Sequence, residues 1–196
     1  GVSNLRGTPY WGASAAFTTS RGYTQALPIA ETSVAAIMMF AKRLGVAAVN
    51  TEANEFDRSQ GERMGMVEGK TVGIVGLGGI GSHVARLSRG LGMRVVATRR
   101  STKTRVEGTD GVDVLYPAAE MKQMLAGCDY VVVSSMWTDE TQGLINADAF
   151  TAMKDGVSLL NVARGEIVEE QALIEALKSG KVANAYLDVY KDDFTQ

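Results

Sequence analysis

The sequence is poor in several residues that specialised proteins depend on. Its 196 residues include one cysteine, one histidine and three prolines. The lone thiol, Cys128, rules out an internal disulfide framework and fits a reducing compartment, so a cytoplasmic setting is expected. No apolar run approaches the length of a membrane span. The net charge of -2 offers no excess of either sign for nucleic acid or a membrane surface, and neither partner is expected. No metal site is expected. No secretory leader is visible. The chain opens on "GVSNLRG" without a methionine, so its native N-terminus is expected to lie outside this sequence.

What is present describes an ordinary core. The chain is 45% hydrophobic and 21% charged, and its length suits one good-sized domain or a domain with a fragment of another. Its 22 glycines, set against so few prolines, suit tight strand-to-helix turns. Residues 1–28 read as irregular, a long loop-like stretch that belongs to something larger. "PIAETSVAAIMMFAKRLG" then reads as a helix. Pro28 suits its first turn, Glu31 complements its N-terminus, and Gly45 stops it. Val34, Ile37, Met38, Ala41 and Leu44 would share its apolar face. Residues 46–68 read as a frayed helix and a connector.

From Lys70 the rhythm is strand, helix, strand. "TVGIVG", "RVVAT", "GVDVLY", "DYVVVSS", "GVSLLNV" and "ANAYLDV" read as strands. "GIGSHVARLSRGLG", "PAAEMKQMLAGC", "NADAFTAMK" and "EEQALIEALKSG" read as helices, with Asn146 capping the third. Continuous apolar strands alternating with amphipathic helices imply a doubly wound parallel α/β sheet of the Rossmann type.

Three motifs carry chemistry. The first is Gly76-x-Gly78-x-x-Gly81, between a predicted strand and a predicted helix. Gly76 allows the tight turn, Gly78 lets backbone approach a pyrophosphate, and Gly81 lets helix and strand pack closely. The helix N-terminus then offers unpaired N–H groups to the phosphates. The second is "VVATRRSTK". A dinucleotide fold that takes NAD places an acid at the end of its second strand, for the ribose 2′-OH. Here Arg99 stands at that position and Arg100 follows it, while Thr98, Ser101 and Thr102 add hydroxyls. Guanidinium groups bind phosphate through paired hydrogen bonds. A solvated basic loop would read similarly, but the register favours a pocket for NADP(H). The third is "LLNVARGEIV". Arg164 lies just past the carboxyl end of a buried strand, where an arginine can clamp a carboxylate and polarise a carbonyl. Taken alone, a helix-capping or ion-paired arginine accounts for it equally well.

"VEGKTVGIVGLGGIGSHVARLSRGLGMRVVA", "TDETQGLINADAFTAMKDGVSLLNVARGEIVEEQALIEALKSGKV" and "AYLDVY" together closely resemble the D-isomer-specific 2-hydroxyacid dehydrogenases. The resemblance runs from about Glu31 to Val189, with several motifs in order. It implies hydride transfer between a nicotinamide cofactor and a small 2-oxo or D-2-hydroxy acid. Arg164 matches the family's catalytic arginine and would hold the substrate. Asp193 matches by spacing an acid that pairs with a catalytic histidine and raises its pKa. The family usually has glutamate there, followed by proline where this chain has Phe194; a solvated acid near a chain end is the alternative. The one histidine, His83, sits in the helix after the glycine loop and is rejected as the general acid, which is expected to lie outside this sequence.

The resemblance assigns further contacts. Gly79 and Ile80 would offer backbone to the pyrophosphate. Met136 stands where the family usually has proline, and would touch the cofactor through backbone. Thr141 matches a threonine near the cofactor, Val162 and Ala163 would line the nicotinamide, and Asp188 would bind its carboxamide. Gly1 would belong to the end of a substrate-binding half.

The resemblance also implies a domain plan. Residues 1–28 would be a remnant of the substrate domain with its connecting loop. The dinucleotide domain would span 29–190, opening on an interdomain helix, and 191–196 would start the return. A homodimer is expected through that helix, with an exposed apolar face around "AAIMMF". The expected function is an NADP(H)-preferring reductase of glyoxylate or hydroxypyruvate type, with NAD(H) as second choice. This chain alone is expected to bind NADPH more tightly than NADH yet to turn over little. Two other readings stand beside it: a nicotinamide-sensing, corepressor-like binding module, and an inactive cofactor-binding remnant.

Overall fold

The computed structural model describes residues 24–53 and 64–191. Gly1 and Asp193 lie outside the described residues. Seven strands form one sheet: β1 Thr71–Val75, β2 Arg94–Arg99, β3 Val106–Thr109, β4 Val112–Pro117, β5 Tyr130–Val133, β6 Val157–Asn161 and β7 Val182–Leu187. Their spatial order is β3-β4-β2-β1-β5-β6-β7. All neighbours run parallel except β3 and β4. The chain first winds outward from β1 through β2 to β4, then crosses back and winds the other way from β5. The turning point lies between β1 and β5, where open α/β sheets hold their ligands.

The central strands are apolar on both sides because both sides are covered. All of β5 and β6 is buried, as is β1 beyond Thr71. One face carries α1 (Ala26–Lys42) and α3 (Gly79–Gly90), packed around Ile37, Val84, Val72, Ile74 and Leu160. The other carries α4 (Met121–Leu125), α5 (Ala147–Ala152) and α6 (Glu170–Lys178), packed around Met124, Phe150, Leu159 and Leu173. Asn146 caps α5 as expected, its side chain accepting from Ala149 N–H at 3.1 Å.

The first helix departs from expectation in three ways. It starts at Ala26, so Glu31 falls beyond the first turn and does not meet the helix dipole. It ends because Arg43 takes a left-handed conformation, φ 53°, and not because of Gly45, which lies inside the next helix, α2 (Leu44–Glu52). The buried face runs through Ala26, Ala30, Ser33, Ile37 and Ala41; Leu44, past the break, is exposed. The "AAIMMF" stretch is therefore not an open patch. Ala36 and Ile37 are buried, and Met38 and Phe40 pack on the same cluster as α3.

A further strand escaped the sequence reading. β3 pairs antiparallel with β4, Thr109 opposite Val112, across the two-residue turn Asp110-Gly111. Both turn residues have positive φ, 52° and 75°. This is the pattern an Asp-Gly pair favours, because such a turn matches the twist of the strands it joins. No single helix among the described residues is long and apolar enough to cross a membrane. No cluster of metal-ligating side chains occurs among them.

Candidate functional site: a dinucleotide cradle at the sheet edge

Strand register levels the candidate residues. Val75 pairs with both Thr98 and Val133, so Gly76, Arg99 and Ser134 emerge side by side at the carboxyl edge. Val133 pairs with Asn161, and Asn161 with Leu187, which brings Val162 and Asp188 out on the same edge. Arg164 follows two residues after Val162.

The glycine loop is built almost wholly of backbone. Gly76 has φ +99°, and a Cβ there would lie 2.7 Å from Ser135 Cα and 2.8 Å from its N. A Cβ on Gly81 would lie 2.5 Å from the Gly76 carbonyl oxygen and 3.0 Å from Ile74 Cγ2. The loop is pinned on both sides. Ser134 Oγ donates to the Gly76 carbonyl at 2.8 Å, and Thr98 Oγ1 accepts from Gly76 N–H at 3.3 Å. Thr98 thus sits buried beneath the loop. Gly78 is different: no described atom comes within 4 Å of a Cβ built there. It precedes α3, whose first turn carries no side-chain cap. Gly79, Ile80 and Gly81 open that helix, where N–H groups have no intrahelical acceptor. Beside the loop, Ser135 Oγ is buried with no hydrogen-bond partner among the described residues. Open space over Gly78, uncapped N–H groups and an orphaned hydroxyl together fit a pyrophosphate.

The β2 corner is built of side chains. Arg99 Nε donates to the Leu77 carbonyl at 3.3 Å, and its Nη1 pairs with Asp110 Oδ2 at 2.7 Å. Arg100 and Ser101 follow, both exposed, and Thr102 N–H bonds back to the Arg99 carbonyl at 3.1 Å.

At the β6 end a buried asparagine organises the turn that carries Arg164. Asn161 Nδ2 donates to the Arg164 carbonyl at 2.8 Å, while its Oδ1 accepts from Ala163 N–H at 3.1 Å. Arg164 Nη1 donates to the Ala163 carbonyl at 2.7 Å. Val162 and Ala163 are buried beside it. A Cβ on Gly165 would run into the backbone of Tyr190 and Lys191, so the chain leaving β7 crosses directly over this turn. Asp188 N–H bonds the Asn161 carbonyl at 3.0 Å, and its Oδ1 accepts from Tyr186 Oη at 3.1 Å. Burial, and then Asp188, push the Tyr186 phenol above its ordinary value. In the loop after β5, Met136 is exposed, and Thr141 Oγ1 accepts from Thr138 N–H and donates to the Met136 carbonyl, both at 2.8 Å. Thr141 shapes that loop. His83 is half-buried on α3.

Sequence reading gave no role to Ser134, Ser135, Asn161 or Asp110. The Asn161 turn was foreshadowed by spacing, because an asparagine side chain bonds readily to backbone two and three residues on.

Residues 34–195 match the model of the D-isomer specific 2-hydroxyacid dehydrogenase, NAD binding domain. The chain belongs to this family. A glyoxylate reductase of Thermococcus kodakarensis is 37% identical over 188 residues, covering 89% of this chain and 55% of that protein. A D-3-phosphoglycerate dehydrogenase of Archaeoglobus fulgidus is also 37% identical, covering 84% of this chain and 30% of the relative. Among solved structures, a glyoxylate reductase from Paecilomyes thermophila superposes with a TM-score of 0.73 at 31% identity. That match covers 86% of this chain and 49% of the other. This dehydrogenase-family chain thus spans about half the length of the glyoxylate reductases it resembles.

Proposed function

We propose that this chain is the cofactor-binding part of an NADP(H)-preferring reductase of small 2-oxo acids, of the glyoxylate or hydroxypyruvate kind. The reading rests on one observation: the strand register brings the glycine loop, the β2 corner and the Arg164 turn to a single sheet edge. The glyoxylate reductase names among the relatives support the substrate class.

The residues divide the work. Gly76, Gly78, Gly79, Ile80 and Gly81 hold the pyrophosphate with backbone. Arg99 and Arg100, helped by Ser101, hold a 2′-phosphate, with Thr98 supporting the loop from below. Val162 and Ala163 exclude water beside the nicotinamide, Asp188 accepts from its carboxamide, and Met136 and Thr141 meet the cofactor from the loop after β5. When bound, the nicotinamide supplies the hydride. Arg164 holds the substrate carboxylate and donates to the carbonyl oxygen, where negative charge gathers during reduction. By the family resemblance, Asp193 would pair with the general-acid histidine, and Gly1 would add backbone to the carboxylate site. A homodimer through the interdomain helix completes the proposal; Leu44 and Val49 on the adjoining α2 are exposed.

The test uses a protein extended with the flanking coding sequence, assayed with glyoxylate and hydroxypyruvate. Arg164→Gln is expected to lower kcat/KM at least about a hundredfold, the scale for losing a donor to a developing oxyanion. Unchanged reduction by that variant would remove Arg164 from the reaction.

A further inference from the structure

We propose that Asp110 sets how strongly this site prefers NADPH over NADH, by competing with the 2′-phosphate for Arg99. The inference rests on the reading of Arg99 as the phosphate-binding residue. Asp110 is not a strand-end acid of the kind that binds a ribose. It is eleven residues farther along, in the turn of the β3–β4 hairpin, and its carboxylate accepts from the Arg99 guanidinium.

The contact is specific. Asp110 Oδ2 lies 2.7 Å from Arg99 Nη1, and Arg99 Nε is held at 3.3 Å by the Leu77 carbonyl. Two of the guanidinium's donor nitrogens are therefore engaged from inside the chain. Both side chains are partly open, Arg99 at 33% and Asp110 at 44%, so an incoming phosphate can reach the pair. A 2′-phosphate that takes Arg99 must displace the carboxylate or sit beside it, and like charges at that range repel. A cofactor with a bare 2′-OH meets no such repulsion. The hairpin turn thus moderates a preference that the arginines alone would make steeper. Asp110 has φ 52° and Gly111 φ 75°, the positive pair of a two-residue hairpin turn.

Asp110→Asn tests this cleanly, since asparagine accepts positive φ as readily as aspartate and keeps the hairpin. Fluorescence titration of the purified chain with NADPH and with NADH would read the effect, and a thermal melt would confirm the fold. The expected result is NADPH affinity raised by roughly three- to tenfold, as fits removal of one partly exposed ion pair and a like charge, with NADH nearly unchanged. NADPH binding that is unaltered or weaker in Asp110→Asn would overturn the proposal. Arg99→Gln is the second arm. If it lowers the NADPH:NADH affinity ratio while Asp110→Asn does not raise it, Asp110 alone is misassigned. If Arg99→Gln leaves the ratio unchanged, the phosphate reading of Arg99 fails and this proposal falls with it.

Discussion

The glycine loop and the β2 corner lie side by side on one sheet edge, yet they are built from opposite materials. The loop works through missing side chains. Its shape is held by steric fit, with Gly76 pressed against Ser135 and Gly81 against the loop's own carbonyl. The corner works through charge, with Arg99 held by a carboxylate and a carbonyl. Backbone packed this closely has few alternatives, and the phosphate binding proposed there would be indifferent to which dinucleotide arrives. A charged corner can be retuned by one substitution. In the proposed reading, the common part of the ligand is met by the rigid region and the variable part by the adjustable one.

The largest expected effect comes from breaking the loop. Gly76→Ala forces a Cβ onto Ser135 backbone at a positive φ, and should cost about 2–4 kcal/mol of folding stability, from left-handed strain and overpacking together. A urea unfolding midpoint close to the parent's would show that the loop is not under this constraint. Gly78→Ala is the matched contrast. With no atom within 4 Å of its Cβ and φ at -106°, it should melt like the parent while losing dinucleotide binding. Retained binding would mean that the space over Gly78 is not the pyrophosphate cradle.

Next in size is the corner. Arg99→Gln should leave stability nearly untouched and weaken NADPH by about ten- to a hundredfold, the range for one charge-assisted hydrogen-bonded contact. NADH should change little. Parallel losses for both cofactors would make Arg99 part of the common cradle and erase the contrast.

The smallest effect concerns the strand beneath the loop. Cys128 Sγ packs against Gly73 of β1 and donates to the Met124 carbonyl at 3.1 Å. Burial pushes the thiol from an ordinary 9.0 up to about 12. A raised folded-state value means that the neutral thiol is favoured by the fold. Its contribution to stability is complete below 9.0 and fades as pH climbs towards about 12. A thiol reagent should accordingly label Cys128 only as fast as the chain opens. Rapid native-state labelling would contradict that burial.

Much of the fold was legible because the central strands are apolar throughout and separated by amphipathic helices. Gly76, Gly78 and Gly81 declared themselves through their place between a strand and a helix, and Arg99 through its distance from them. What stayed hidden depends on pairing across the chain. β3 is short, exposed in its first three residues and without alternation, so only the Asp-Gly turn announced it. The Arg99–Asp110 pair joins residues whose contact no local pattern announces. The end of α1 follows from an unusual conformation at Arg43, which no residue type there demands. The hydroxyls of Thr98 and Thr141, both expected at the cofactor, bond within the protein, to Gly76 N–H and to the Met136 carbonyl. Local spacing does not reveal such partners, which lie on other elements or across a loop.

The central claim is that this sheet edge binds a dinucleotide and that its charged corner prefers the 2′-phosphorylated form. Titrating the purified chain with NADPH and NADH under identical ionic conditions tests it most directly. Saturable binding of both, with NADPH the tighter, is the predicted result. Equal affinities would contradict the reading of Arg99 and Arg100, and no binding of either would contradict the cradle itself.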